Sequence, residues 1–100
     1  MEIDEISEIG IDENESLYIK PSNSSFPMIY REAMEIGWDN DGGFLFSPKP
    51  RKWGYSDWYQ QIIKGASSQG ITLRLSNSTI WVNVDCHLQK QIQDFDNVVT

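Results

Sequence analysis

Cysteine and histidine each occur once, as the neighbours Cys86 and His87, and that scarcity removes several kinds of chemistry. A lone thiol closes no intrachain disulfide, and a tetrahedral zinc centre needs more Cys and His ligands than the chain owns. Adjacent side chains on a helix or strand point apart, so this pair does not set a thiolate against its general base. Apolar runs are only a few residues long, far short of the roughly 20 that span a bilayer. No basic start leads into an apolar run of signal-peptide length. A cytoplasmic chain with no membrane segment is expected.

Positive charge is missing from the first fifteen residues, which hold Glu2, Asp4, Glu5, Glu8, Asp12, Glu13 and Glu15. The other 85 residues balance eight acids against eight bases, so the formal net charge of -7 belongs to one N-terminal segment. Net acidity disfavours binding to a phosphate backbone, and no nucleic-acid partner is expected. Two uses of the acids remain open. They form a docking face for a basic protein, with Asp4, Glu5, Glu8, Asp12 and Glu13 as contacts. Alternatively, residues 1–15 contain an edge strand whose like charges oppose edge-to-edge aggregation.

What is present fits one domain over residues 1–100, with hydrophobic residues at 39% and seven glycines. Isoleucines at 3, 6, 9 and 11 begin with a spacing of three and end with two, ambiguous between helix and strand. Ile9 and Ile11, a polar turn, then Leu17 and Ile19 suggest a hairpin. Ser24 or Ser25 is positioned to cap a helix carrying Phe26, Ile29, Tyr30 and Ala33 on one face. Residues 36–38 and 44–46 flank Asp39-Asn40-Asp41-Gly42-Gly43, a second hairpin. Ser56 caps the clearest helix, with the apolar stripe Trp58, Tyr59, Ile62, Ile63 and Ala66 and with Gly70 as its stop. Alternation at Ile71, Leu73, Leu75 and again at Ile80, Val82, Val84 predicts a third hairpin, and Asp85 caps a closing helix through Leu88, Ile92 and Phe95. The expected fold class is α+β: an antiparallel sheet of about three β-hairpins packed with two or three short helices.

Few motifs carry chemistry. Counted from Asp39 as a calcium loop, the twelfth position that needs a bidentate Glu is Pro50, so the segment reads as a turn. Gly42-Gly43 lacks the spacing of a phosphate loop. Glu32 and Glu35 lie on neighbouring helical turns, but nothing in the sequence desolvates either one. No cofactor or metal is called for. The stretch Lys49, Arg51, Lys52, Trp53 and Tyr55 is the one basic, aromatic-interleaved segment, suited to an anionic or aromatic ligand. Tyr18, Trp81, Asn83, Thr72 and Arg74 are opposite-face residues of two hairpins, and an uncovered aromatic face there is a natural homodimer interface.

Leu17-Tyr18-Ile19, Ile29-Tyr30-Arg31-Glu32-Ala33, Gly37-Trp38-Asp39, Trp53, Trp58 and Thr79-Ile80-Trp81-Val82-Asn83-Val84 form an ordered pattern over residues 17–84. This pattern resembles the small bacterial proteins encoded in mobile integron gene cassettes, a group of mostly unassigned function. The resemblance implies an α+β domain with a tendency to self-associate and an accessory, dispensable role; it brings no active-site residues. The functional expectation is a non-enzymatic interaction protein, inhibitor- or immunity-like, with a protein partner and a homo-oligomeric, dimeric state. A small-molecule binding domain is the alternative, and a small hydrolase ranks last.

Overall fold

The ambiguous isoleucine spacing has a structural cause. In the computed structural model, which describes residues 2–31, 35–49 and 53–99, β1 (Glu2–Ile11) pairs with β2 (Leu17–Pro21) in antiparallel register, and the register slips between Ile6 and Glu8. A β-bulge at Ser7 adds one residue, so Ile6 and Ile9, three apart, both face the core. The Ser7 hydroxyl donates to the Lys20 carbonyl at 2.9 Å, which anchors the bulge.

The other strands are β3 (Gly37–Asp39), β4 (Phe44–Phe46), β5 (Ile71–Arg74) and β6 (Ile80–Val82), and the helices are α1 (Tyr55–Ser68) and α2 (Cys86–Val99). They form a six-stranded sheet in the order β3-β4-β2-β1-β5, with β6 also paired to β1. The class is α+β and the sheet is mixed, antiparallel for most of its pairs. The first two predicted hairpins are present.

The third is not a hairpin. β5 runs parallel to the first half of β1, with Asp4 opposite Leu73, and β6 runs parallel to its second half, with Ile9 opposite Trp81. Together they make one interrupted strand along β1, with residues 75–79 looping out beside the bulge. Thr79 bridges the interruption: its hydroxyl donates to the Ile6 carbonyl at 2.6 Å and accepts the Ser76 amide at 2.9 Å. This supplies the carbonyl with the donor that the broken ladder lacks. Thr79→Val is therefore expected to cost about 1–3 kcal/mol by stranding a buried acceptor. Thr79→Ser should restore most of that loss in urea unfolding, with an unchanged denaturant slope.

The acidic segment is consequently not an edge strand. β1 has β2 on one flank and β5 with β6 on the other, and its acids alternate with core residues inside the sheet.

The helix expected from Ser24 or Ser25 reduces, among the described residues, to a 3₁₀ turn at Ile29–Arg31. Its bonds run from the Ile29 amide to Phe26 and from the Arg31 amide to Met28, the tighter i to i+3 pattern. The Ser24 amide is already bonded to Asp4 and ties this segment to β1 instead. Tyr30 is exposed rather than on a buried face; Glu32 and Ala33 lie outside the described residues.

Both helices pack on one face of the sheet. Trp58, Tyr59, Ile62 and Ala66 of α1 and Leu88 and Ile92 of α2 share a core with Ile6, Ile9, Leu17, Ile19, Leu45 and Leu73. Phe95 meets Tyr59 edge-on at 5.8 Å. Gly70, at φ 90°, ends α1 as its position predicted. The start differs: Gly54, not Ser56, is the N-cap of α1, Ser56 lies within its first turn, and the Asp57 carboxylate accepts the Gly54 amide at 3.0 Å. Asp85 caps α2 by accepting the Leu88 amide at 2.7 Å.

Candidate functional site

With both helices on one side, no described helix covers the opposite sheet face. Strand alternation assigns its residues: Ile3, Glu5, Glu8 and Gly10 of β1, Tyr18 and Lys20 of β2, Phe44 and Phe46 of β4, Thr72 and Arg74 of β5, and Ile80 and Val82 of β6. Ile3 is 65% exposed and Ile80 57%, both large apolar side chains in water.

The aromatic side chains lie down on this face. The Phe46 ring occupies the space above Gly37, 2.5 Å from where a Cβ would stand. Phe44 packs against Phe46 and Tyr18, at ring centroid distances of 6.1 and 5.5 Å. The Tyr18 hydroxyl donates to the Glu8 carboxylate at 2.6 Å and covers Gly10. Burial and this bond raise the Tyr18 pKa above its ordinary value, so the phenol stays neutral and keeps donating.

Of the residues expected as partner contacts, Glu5, Glu8, Tyr18 and Arg74 lie on this open face, Arg74 beside Glu5. Trp81 is not. It pairs with Ile9 in the parallel β1–β6 register and therefore turns to the core side, where it packs against the buried cluster. Ile80 and Val82 take the open positions assigned to its strand. Asn83 lies beyond β6, where its side-chain amide donates to the Ile11 carbonyl at 3.4 Å.

The N-terminal acids do not gather into one surface. Asp4 is buried, 6% exposed, and accepts the amides of Asn23, Ser24 and Glu5. Asp12 accepts the Asn14 and Ser16 amides and shapes the β1–β2 turn. Glu13 is exposed in that turn, and Glu15 pairs with Lys49 at 2.6 Å.

An open cleft of about 750 Å3 lies between the first turns of α1 and α2, lined by Ile11, Gly54, Tyr55, Ser56, Asn83, Val84, Asp85, His87, Leu88 and Gln91. Of the expected ligand residues, Tyr55 is in the wall, its hydroxyl donating to the Glu15 carbonyl at 2.9 Å. Burial, and then the nearby Glu15 charge, raise the Tyr55 pKa. Lys49 is engaged by Glu15, and Trp53 packs against Trp58 with ring centroids 4.9 Å apart and planes tilted by 53°. Arg51 and Lys52 lie outside the described residues. Among the described residues, no group of three or more His, Cys, Asp or Glu side chains is placed to hold a metal ion, and no helix is long and apolar enough to cross a membrane.

The family model of the integron cassette protein Hfx_Cass5 matches residues 4–79, most of the sheet and all of α1. The chain belongs to the Hfx_Cass5 integron cassette protein family. The resemblance drawn from spaced aromatics thus holds at the level of the family. A solved structure of the Hfx_Cass5 integron cassette protein, from the mobile metagenome of the North West Arm sewage outfall, is similar in sequence at 40% identity. That similarity covers 97% of this chain and 98% of the other, with a TM-score of 0.49. None of the curated proteins matches the chain.

In this Hfx_Cass5 family member, sequence reasoning missed Ile3, Ile80, Val82, Phe44 and Phe46 as open-face residues, and Asn83, His87 and Gln91 as cleft residues. The signal for Ile80 and Val82 was present as alternation around Trp81. Alternation separates two faces without saying which of them is buried.

Proposed function

We propose that this Hfx_Cass5 family member is a non-enzymatic accessory protein of a mobile gene cassette that works by binding another protein chain through its uncovered sheet face. The support is the exposure of Ile80 and Val82, which share the open side of β6, and of Ile3 further along β1, on a face that no described helix covers, since apolar residues left in water on an open face mark interaction surfaces. An inhibitor- or immunity-like mode, with carboxylates over the basic cleft of a toxin or nuclease, has fewer acids to use. Asp4 and Asp12 are committed to backbone amides, which leaves Glu5, Glu8 and Glu13 to steer a basic partner.

Photo-crosslinking in the host cell tests the assignment. Val82→p-benzoylphenylalanine on the open face is expected to give a discrete protein adduct, and Gln93→p-benzoylphenylalanine on the exposed side of α2 none. Adducts at neither position, or equal adducts at both, would remove the sheet face as the working surface.

The cleft favours a second reading, a small-molecule site in which an anionic or aromatic ligand stacks on Tyr55. Its volume of about 750 Å3 lies in the usual range for ligand pockets. A ligand present at 100 times its dissociation constant adds about 2.7 kcal/mol of stability. Some anionic aromatic metabolite should then raise the melting temperature by about 10 °C or more, and a flat response across a metabolite library would sink this second reading.

A further inference from the structure

Resting on the cleft reading above, we infer that the cleft between the first turns of α1 and α2 selects an aromatic ring that carries a positive charge, a protonated arylalkylamine, over the same ring carrying a carboxylate. The basic stretch that suited an anion in the sequence contributes little here. Of its described residues only Tyr55 stands in the wall, and Lys49 is held by Glu15. Among the described residues that line the cleft there is no Lys and no Arg, and Asp85 is the one carboxylate.

The two helix starts do not reverse this sign. Each carries about half a positive charge, which by itself would favour an anion. Each is already met by a full carboxylate: Asp57 accepts the Gly54 amide at 3.0 Å, and Asp85 accepts the Leu88 amide at 2.7 Å. The Leu88 bond uses one Asp85 oxygen; the other takes no bond from a described residue, and the side chain is exposed. That oxygen can accept an ammonium N–H. The Tyr55 phenol senses the same field. After burial, Glu15 raises its pKa, Lys49 lowers it and Asp12 raises it, so two acids act on this wall against one base.

The rest of the lining decides the body of the ligand. Tyr55 is half-buried with its hydroxyl tied to the Glu15 carbonyl at 2.9 Å, which holds its ring in place as a stacking and cation–π surface. Ile11, Val84 and Leu88 add apolar contacts. A bare metal ion would find one carboxylate where it needs several oxygen ligands, whereas an aryl group with an ammonium tail uses both kinds of wall. An aryl carboxylate keeps the ring contacts and so still binds, but it meets Asp85 with the wrong sign.

The test is a titration of the purified full chain at pH 7 with tryptamine and with indole-3-propionate, the same indole on the same tether with opposite charge. Binding is read from the amide chemical shifts of Ser56 and Gln91. Tryptamine is expected to move both amides with a dissociation constant at least ~10-fold below that of indole-3-propionate, since the two differ by attraction against repulsion at one carboxylate. In Asp85→Asn, whose side-chain oxygen still caps α2, that ratio should fall to about 3-fold or less. Rising salt should shrink the native ratio as well, which keeps the selection testable if the variant does not fold. Equal binding, tighter binding of indole-3-propionate, or a ratio indifferent to both Asp85→Asn and salt overturns the charge selection, while shifts at Ser56 and Gln91 would leave the cleft reading standing. If neither ligand moves these amides, the charge selection fails too, and the cleft reading falls with it only when the metabolite library is also flat.

Discussion

Gly10→Val is expected to strip β6 from the sheet and to destabilise the chain by about 3 kcal/mol or more, the upper end of what overpacking costs. A Cβ at Gly10 would stand 2.6 Å from the Val82 carbonyl oxygen, 2.8 Å from the Tyr18 hydroxyl and 2.9 Å from the Val82 Cβ. Two of those neighbours belong to the strand paired directly with Gly10, so relief requires moving backbone rather than swinging a side chain. The added side chain would also displace the Tyr18 hydroxyl from its bond to Glu8. For a domain of this size the loss corresponds to a melting temperature lower by about 15 °C. Thermal unfolding followed by far-ultraviolet circular dichroism checks it. Gly43→Ala is the contrast: nothing lies within 4 Å of a Cβ there, and its cost comes only from φ at +71°, about 1–2 kcal/mol.

Asp4→Ala should have a comparable effect for an electrostatic reason. The Asp4 carboxylate accepts the Asn23 amide at 3.0 Å and the Ser24 amide at 2.8 Å from across the sheet end, and the Glu5 amide at 2.9 Å from its own strand. Alanine leaves these partly buried amides without their acceptor, at about 1–3 kcal/mol for each one that water does not reach. The loss also releases the connection from β2 towards the 3₁₀ turn. Asp4→Asn, which keeps one acceptor oxygen, should cost less.

The pH dependence has a definite sign. Burial pushes the Asp4 pKa up, but the Asn23, Ser24 and Glu5 amides outweigh it and hold the carboxyl below its ordinary value. Its contribution to stability is therefore full above the unfolded-state pKa of about 3.9 and is lost as the pH falls through the lowered folded-state value. Urea midpoints measured from pH 7 down to pH 2 should show an acid decline that Asp4→Asn flattens. An identical decline in that variant would place the acid sensitivity elsewhere.

The family pattern and the α+β class were legible because they depend on local signals: turn residues at Asp39 to Gly43, the apolar stripe on α1, the Asp85 cap and the Gly70 stop. The candidate surface was legible only in part. Tyr18 and Arg74 were placed correctly because β2 and β5 keep strict alternation, whereas Trp81 was assigned to the wrong face. An aromatic between two aliphatics can turn either way, and here the parallel pairing with Ile9 turns it inward. The same limit applies to the acids. Seven carboxylates in fifteen residues look like one feature in sequence. In the fold Asp4 and Asp12 accept backbone amides, Glu15 holds Lys49, and Glu5 and Glu8 join the open face.

Composition and spacing alone determined that this is a small α+β chain, acidic at one end, without the cysteines and histidines for a disulfide or a Cys/His zinc centre. Those properties follow from residue counts and from periodicities of two and 3.6, which survive in any topology. Only the tertiary structure decided that β5 and β6 line up along β1 instead of pairing with each other, since both arrangements use the same alternation and differ in long-range backbone hydrogen bonds. That single choice put β1 inside the sheet and Trp81 in the core. It also left Ile3, Ile80 and Val82 in water on the face proposed to bind.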